Sequence, residues 1–170
     1  MSETIIPDSL IKIKELVFDP LCFKLSNMVS ETESKDYTAC RFELDQLKIV
    51  FRSAKITPTK TGQFVTLWKR VADGPIQPFD CTDEIDLFII NVRTDHNFGQ
   101  FVFPKSVLCQ KGIISTDLKD GKRAIRVYPP WDKTINIQAQ KNQKWQLDYF
   151  LEISSNHPIN LNRAKMLYSR

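Results

Sequence analysis

The feature that most constrains the fold is the most hydrophobic stretch of the chain, which runs from Ile85 to Val92 and contains one charged residue, Asp86. Near-continuous apolar residues over this length predict a central strand that is buried on both faces of a sheet. Asn97-Phe98-Gly99 predicts a turn, and residues 100–103 predict its hairpin partner, because short turns pair strands that are adjacent in sequence. The sheet interior is expected to contain Leu87, Ile89, Phe101 and Phe103.

The segments on either side of this hairpin complete a mixed architecture. Helical periodicity over residues 9–29, interrupted near Pro20, predicts a pair of short helices. Residues 37–131 contain alternating and apolar segments that are typical of strands and form the predicted sheet core. Residues 142–153 predict a C-terminal helix. The sequence therefore predicts a single α/β (α+β) domain over residues 1–170, with a mixed central sheet flanked by helices.

Length and composition place the chain among ordinary globular proteins. Its 170 residues are 42% hydrophobic and 26% charged, which is long enough and apolar enough for a sizeable core. No apolar run approaches the ~20 residues that a membrane span needs. The N-terminal segment lacks the basic region and apolar segment of a signal peptide. We therefore expect a cytoplasmic protein.

The cysteines do not form a pattern that binds metal. Cys22, Cys40, Cys81 and Cys109 are widely spaced, and the two histidines lie far apart. Structural zinc normally requires two close pairs of Cys or His ligands. We expect reduced, mostly buried thiols and no zinc.

The segment from Phe51 to Arg70 contains five cations and no acidic residue, with Phe51, Phe64 and Trp68 interleaved among them. Its flanks predict two strands, and Thr57–Gly62 predicts the connection between them. Cations supply affinity for phosphates, and exposed aromatic rings stack on unpaired bases. In the alternative interpretation the aromatic rings face the core and the lysines only solubilise the opposite face. The phosphate- or ligand-binding candidates of this segment are Arg52, Lys55, Lys60, Lys69, Arg70 and Trp68.

A second basic segment, Gly121–Trp131, repeats this combination of residues. Arg126 and Tyr128 share one face of a predicted strand, and Trp131 follows just beyond it. If this strand lies near the basic hairpin, the two segments form one groove. The alternative is an edge strand whose charges protect it from aggregation. The net charge of +4 is mild, but its segregation into these segments favours a nucleic acid or nucleotide as partner.

Four stretches of the chain resemble the MepB family of small bacterial proteins. They read AKITPTKTGQFVTLWKR, GPIQPFD, GQFVFPK and GKRAIRVYPPWD, and the likeness extends roughly from Tyr37 to Phe150. The resemblance implies a single α/β domain with a fold similar to that of type II restriction endonucleases. It implies no particular activity.

Nucleases of the restriction type hold Mg²⁺ with an Asp on one strand and an acid-x-Lys motif on the adjoining strand. The sequence offers two incomplete sets: Asp86 with Gln100, and Glu43 with Lys55, where Ser53 replaces the acid of the motif. Glu84 is the nearest further acid to Asp86, so these two residues would hold a metal if one is bound.

We therefore expect a nucleic-acid- or nucleotide-binding protein without robust nuclease activity and without a cofactor. Two alternatives stay open. The first is a metal-dependent nuclease that uses Mg²⁺, and the second is a domain that binds a small acidic or nucleoside-like ligand.

Overall fold

The computed structural model describes residues 5–169 and folds the chain around a six-stranded mixed sheet. The strands are β1 (Leu25–Ser30), β2 (Cys40–Leu44), β3 (Leu47–Ser53), β4 (Lys55–Ile56), β5 (Gln63–Thr66), β6 (Trp68–Arg70), β7 (Ile76–Pro78), β8 (Leu87–Arg93), β9 (Phe98–Pro104), β10 (Ala124–Val127) and β11 (Phe150–Glu152). The α-helices are α1 (Asp8–Ile13), which continues as a π-helical turn to Phe18, α2 (Lys105–Gln110), α3 (Ile137–Gln146) and α4 (Leu161–Tyr168).

The main sheet has the order β1-β2-β3-β8-β9-β11. Strands β3 and β8 are parallel, and the other neighbours are antiparallel. Strands β10, β5 and β4 form a second, three-stranded sheet, and β6 pairs with β7. The predicted α+β class with a mixed sheet flanked by helices is confirmed.

Two apolar layers cover the two faces of the main sheet. Leu87 and Ile89 face α1 and α4, whereas Phe101 and Phe103 face the layer that contains α2, β5 and β10. All four side chains are fully buried, and every residue from Leu87 to Val92 is buried. The predicted central strand and sheet interior are therefore confirmed.

The second helix predicted within residues 9–29 is wrong. The N-terminal helix ends at Phe18, ahead of Pro20, and Leu25–Ser30 forms the edge strand β1, which pairs with β2. Leu21, Phe23 and Leu25 alternate with polar residues, and this two-residue period fits a half-buried strand as well as a helix. Pairing with the otherwise open edge of β2 favours the strand.

The C-terminal helix predicted over residues 142–153 is also placed wrongly. Helix α3 begins at Ile137 because the Asn136 side chain accepts a hydrogen bond from the amide of Ala139 and caps the helix. It ends at Gln146, and Phe150–Glu152 forms β11 against the edge of β9. The sequence interpretation also missed α4.

Two of the four cysteines are bonded to each other, so the expectation of reduced thiols is wrong for this pair. The Sγ atoms of Cys81 and Cys109 lie 1.99 Å apart. The two cysteines are 28 positions apart in the sequence and carry no local signal, because they meet only where α2 packs against the loop before β8. Cys40 is buried and free, and Cys22 is exposed and free.

Within residues 5–169 no helix is long and apolar enough to cross a membrane.

Candidate anion-binding groove

The two basic segments meet in the three-stranded sheet. Strand β5 pairs with β4 on one side and with β10 on the other, and both pairings are antiparallel. Phe64 lies opposite Lys55 in one pair and opposite Arg126 in the other. The structure thus places Lys55 and Arg126 on the two strands that flank Phe64, although 71 positions separate them in the sequence.

The alternation along β5 leaves one aromatic face accessible. Gln63, Val65 and Leu67 are buried, whereas Phe64 and Trp68 are only half-buried. The guanidinium carbon of Arg126 lies 5.8 Å from the centroid of the Phe64 ring, a cation–π distance. The alternative in which the rings all face the core therefore fails for Phe64 and Trp68. It holds for Phe51, which is fully buried.

Arg126 also fixes the loop that connects β4 and β5. Its Nη2 donates to the Thr57 hydroxyl at 2.7 Å, and its Nη1 donates to the carbonyl oxygens of Thr61 and Gly62 at 3.4 Å. Gly62 has a φ of +82°, and a Cβ at this position would lie 2.7 Å from the Tyr128 ring. Glycine is therefore required at position 62. Both the hydrogen bonds of Arg126 and the close approach of Gly62 to Tyr128 hold the loop against β10.

Helix α3 covers the open edge of β10 through one buried side chain. The Gln146 Oε1 accepts from the amide of Tyr128 at 2.8 Å, and its Nε2 donates to the carbonyl oxygen of Arg126 at 3.0 Å. The side chain thus replaces a neighbouring strand. It aligns α3 with β10 and leaves a groove between α3, β10 and the Thr57–Gly62 loop.

The groove consists of two adjoining pockets that share Lys60 and Arg126 as a common wall. The first, here called the basic pocket, has a volume of about 310 Å³, and the second, the neutral pocket, has a volume of about 460 Å³. The basic pocket contains four cations and no carboxylate; its main lining residues are Lys60, Phe64, Lys111, Lys122, Arg126, Asn142 and Trp145. Only amides, hydroxyls and apolar groups line the neutral pocket besides the shared wall.

Ion pairing separates three of the predicted phosphate-binding cations from the other predicted ones and from the two further lysines of the basic pocket. Arg52, Lys69 and Arg70 pair with Glu31, Asp83 and Glu33, with N–O distances of 2.7, 2.5 and 2.6 Å. Among residues 5–169, no carboxylate forms an ion pair with the members of the second group, which are Lys55, Lys60, Lys111, Lys122 and Arg126. Only this second group keeps its positive charge available to a ligand.

Arg52 is inaccessible and cannot contact a phosphate in this structure. Its side chain is 0% exposed, and it donates to Glu31 at 2.7 Å and to the Phe51 carbonyl at 2.9 Å. Burial lowers the pKa of Arg52, and the charge of Glu31 opposes that shift. Glu31 also accepts from Arg41 at 2.7 Å. Arg52 thus belongs to a largely buried ion pair, and its side chain lines neither pocket of the groove.

The predicted aromatic residues of the two segments lie in different places. Trp68 lines a separate depression beside Arg70, where the charges are paired. Trp131 packs edge-on against Phe150 at 5.7 Å, and its indole nitrogen is buried without a partner among the described residues. Tyr128 is nearly buried and lines the neutral pocket.

The acids of the two candidate nuclease sets lie together, around Lys48 at the start of β3 and β8. Asp86 accepts from the Lys48 amide at 2.8 Å, and Glu84 pairs with the Lys48 ammonium at 2.8 Å. Glu43 lies opposite Lys48 in the β2–β3 register. A hydrogen bond from Lys48 lowers the pKa of Glu84.

Neither nuclease set is assembled as predicted. Gln100 pairs with Asn91, five residues further along β8 than Asp86, and donates to the Tyr168 hydroxyl at 2.7 Å. Lys55 lies seven residues beyond the partner of Glu43, on the order of 20 Å along an extended chain. Within residues 5–169 no group of three or more His, Cys, Asp or Glu residues is arranged to hold a metal ion.

Sequence reasoning missed three residues of the basic pocket. Lys111 follows α2, and Asn142 and Trp145 lie on α3. In the sequence, Trp145 reads as an apolar residue of a helix, and Lys111 reads as part of a helix end. No local pattern indicates that they line this pocket: the packing of α3 through Gln146 places Asn142 and Trp145, and the end of α2 places Lys111.

Together, fold and site define an α+β protein with a mixed sheet and a basic groove beside it. The MepB-like family model matches residues 31–152, so the chain belongs to the MepB-like family, as the sequence resemblance predicted.

A structure described as the crystal structure of MepB is 34% identical, with a TM-score of 0.75, and the alignment covers 89% of this chain and 99% of that one. The structure of a bacterial homing endonuclease aligns at 15% identity with a TM-score of 0.46, over 82% of this chain and 86% of that one. Similarity at that level is too low to establish a common function. No curated protein matches the chain.

Proposed function

We propose that this MepB-like protein binds nucleic acid or nucleotides through their phosphate groups, in the groove between α3, β10 and the Thr57–Gly62 loop. The observation that carries the proposal is the basic pocket, where four cations converge and no carboxylate neutralises them. Unpaired cations at close range attract a polyanion strongly, whereas cations that are already paired contribute little. The groove needs no metal ion for this binding, because the protein itself supplies the positive charge.

The polar groups that line the basic pocket suit an acceptor-rich ligand. Lysine and arginine side chains only donate hydrogen bonds. The Asn142 Oδ1 already accepts from the indole nitrogen of Trp145 at 3.3 Å, which leaves its amide nitrogen to donate. Phosphate oxygens accept hydrogen bonds and carry negative charge, so they complement this set of donors.

Two aromatic rings in the basic pocket favour a ligand that carries bases. Phe64 is half-buried beside Arg126, and Trp145 is half-buried with the Lys111 ammonium 5.3 Å from its ring centroid. Stacking on such a ring is worth ~1–3 kcal/mol per base, and only unpaired bases are free to stack. Single-stranded nucleic acid therefore fits the site better than a duplex.

The proposal includes binding without cleavage. Gln63 of β5 donates to the carbonyl oxygen of Arg93 at the end of β8, whereas Asp86 precedes the start of that strand. The candidate acids thus lie at the opposite end of β8 from the strand β5 contact. Asp86, Glu84 and Glu43 line neither pocket of the groove, which supports binding of a phosphate there without cleavage.

A second candidate ligand is a small acidic molecule. The volume of about 310 Å³ lies at the lower end of the range for small-molecule sites, and the same donors suit a carboxylate.

Equilibrium binding of labelled single-stranded oligonucleotides at low salt tests the proposal. The double variant Lys60→Ala/Lys122→Ala should weaken binding by about tenfold or more and reduce the salt dependence, because each lost phosphate contact lowers the logarithmic slope by ~0.7. The matched control is Lys24→Ala/Lys165→Ala, in which both lysines are exposed and lie away from the groove.

We expect the control variant to bind like the wild type, and both variants to melt near the wild-type temperature. Absence of binding by the wild type at low salt, or equal weakening in both variants, would contradict the proposal. Binding of small acids alone, with the same sensitivity to Lys60 and Lys122, would favour the second candidate.

A further inference from the structure

We propose that the neutral pocket is a base-binding subsite, so that the groove holds a nucleotide with its phosphate in the basic pocket and its base in the neutral pocket. This inference rests on the proposed function. It assigns the base next to the bound phosphate to the neutral pocket and leaves Phe64 and Trp145 of the basic pocket to further bases of a single strand.

The two pockets are arranged as neighbouring compartments of one groove. Gln138 and Ala139 of α3 line the neutral pocket, and Asn142 and Trp145 line the basic pocket. The seven helical steps from Gln138 to Trp145 span about 10 Å. This length accommodates a phosphate and the adjoining base side by side.

The neutral pocket offers both donors and acceptors of hydrogen bonds, as a base edge requires. The Asn136 Oδ1 accepts from the Ala139 amide at 2.8 Å, so its amide nitrogen is left to donate. The Gln138 amide nitrogen donates to Asn142 at 3.5 Å, so its carbonyl oxygen is left to accept. Thr59 and Thr61 add hydroxyl groups that do either. A simple inorganic anion mainly accepts hydrogen bonds, so it would leave the acceptors of this pocket without partners.

The same pocket carries an exposed apolar surface. Ile135 is 80% exposed and lines the pocket together with the hydroxyl-bearing loop residues Thr59 and Thr61. A base has apolar faces and a polar edge, so it can cover the Ile135 side chain while its edge contacts the amides. Burial of this apolar surface under a base favours binding.

The shared wall fixes the position of the phosphate relative to the base. Arg126 lines both pockets, and its guanidinium is held by Thr57 at 2.7 Å and lies over Phe64. A cation held in this way binds a phosphate at one defined place. The base attached to that phosphate then reaches the neutral pocket, on the other side of Arg126.

Competition against a labelled oligonucleotide with inorganic phosphate, ribose 5-phosphate, AMP and UMP tests this inference. AMP or UMP should compete about tenfold more strongly than ribose 5-phosphate, a difference of about 1.4 kcal/mol in binding free energy, because only the nucleotides carry a base. The variant Ile135→Ala/Gln138→Ala should remove this advantage and leave the affinity for ribose 5-phosphate unchanged. The matched control is Ile137→Ala/Gln140→Ala, which alters exposed residues of α3 that do not line the groove.

Equal competition by ribose 5-phosphate and by the nucleotides would overturn the base subsite. If both compounds then still depend on Lys60 and Lys122, phosphate binding in the groove stands and only the further inference is wrong. Equal loss of the base advantage in the Ile137→Ala/Gln140→Ala control would also overturn it. Absence of competition by every phosphate compound, together with no oligonucleotide binding, would contradict both proposals.

Discussion

Arg52 and Arg126 show how far the surroundings of a single residue decide its role. Both lie in basic strands with aromatic neighbours, and both fit a phosphate-binding role in the sequence. In the structure Arg52 is fully buried and paired with Glu31, whereas Arg126 is half-buried and pairs with no carboxylate among residues 5–169. The difference depends on Glu31, which is 21 positions away from Arg52 and carries no local signal.

The buried ion pair leads to a prediction about stability. The substitution Arg52→Met removes hydrogen bonds to Glu31 and to the Phe51 carbonyl, whereas Glu31 keeps Arg41 as a partner, so the free energy of unfolding should fall by about 1–3 kcal/mol. Urea denaturation measures this change. In the control Lys55→Met the exposed side chain has no ion-pair partner in the described part of the chain, and the change should stay within about 0.5 kcal/mol. A stable Arg52→Met protein that loses oligonucleotide binding would instead show that Arg52 contacts phosphate.

The cysteines give a second prediction at this scale. Burial raises the pKa of the Cys40 thiol to about 12, and Cys22 is exposed. A raised pKa leaves almost no thiolate at mildly alkaline pH, and thiolate is the form that is alkylated.

Iodoacetamide should therefore label Cys22 alone in the native protein, and Cys22 and Cys40 after denaturation without reductant. Mass spectrometry should show all four cysteines labelled only after reduction, because Cys81 and Cys109 are bonded. Rapid native labelling of Cys40, or four labels without reduction, would contradict these environments.

Among the elements, those with a strong local signal were predictable and those fixed by edge pairing were not. The apolar segment that ends at Val92 and its hairpin partner identified β8 and β9, because an apolar segment of this length has few interpretations other than a strand buried on both faces. Strands β1 and β11 lie at the edges of the sheet, and there short half-buried segments also fit a helix. Their conformation depends on the neighbouring strand that they complete.

The groove likewise has one half with a local sequence signal and one half that depends on packing. The β5 and β10 half could be predicted from clustered cations and aromatic residues. The α3 half could not, because Asn142 and Trp145 reach the groove only when Gln146 docks the helix on β10.

The docking of α3 on β10 through Gln146 leads to a prediction about stability. Gln146→Leu leaves the Tyr128 amide and the Arg126 carbonyl without their partner, which should cost about 1–3 kcal/mol. The measurement is the free energy of unfolding in urea, with Gln140→Leu on the exposed face of the same helix as control. Equal stability of the two variants would show that α3 does not depend on Gln146 for its position.

For the whole molecule, the distribution of charge matters more than its total. A net charge of +4 is modest, and much of the positive charge of residues 51–70 is neutralised by ion pairs. The unpaired cations of the basic pocket lie on one side of the main sheet, and α1 and α4 cover the other. All lining residues of the basic pocket fall within residues 31–152, the part of the chain that matches the MepB-like family.

Three tryptophans report separately on three parts of the molecule, which makes one measurement especially direct. Trp145 lines the basic pocket, Trp68 lines the depression with paired charges, and Trp131 packs against Phe150. In NMR spectra of ¹⁵N-labelled protein, their indole N–H groups give three signals that can be followed during titration with a single-stranded oligonucleotide. We predict that the Trp145 signal shifts with saturation while the Trp68 and Trp131 signals stay nearly unchanged. A shift of Trp68 with Trp145 unaffected would contradict the assignment of the groove as the binding site.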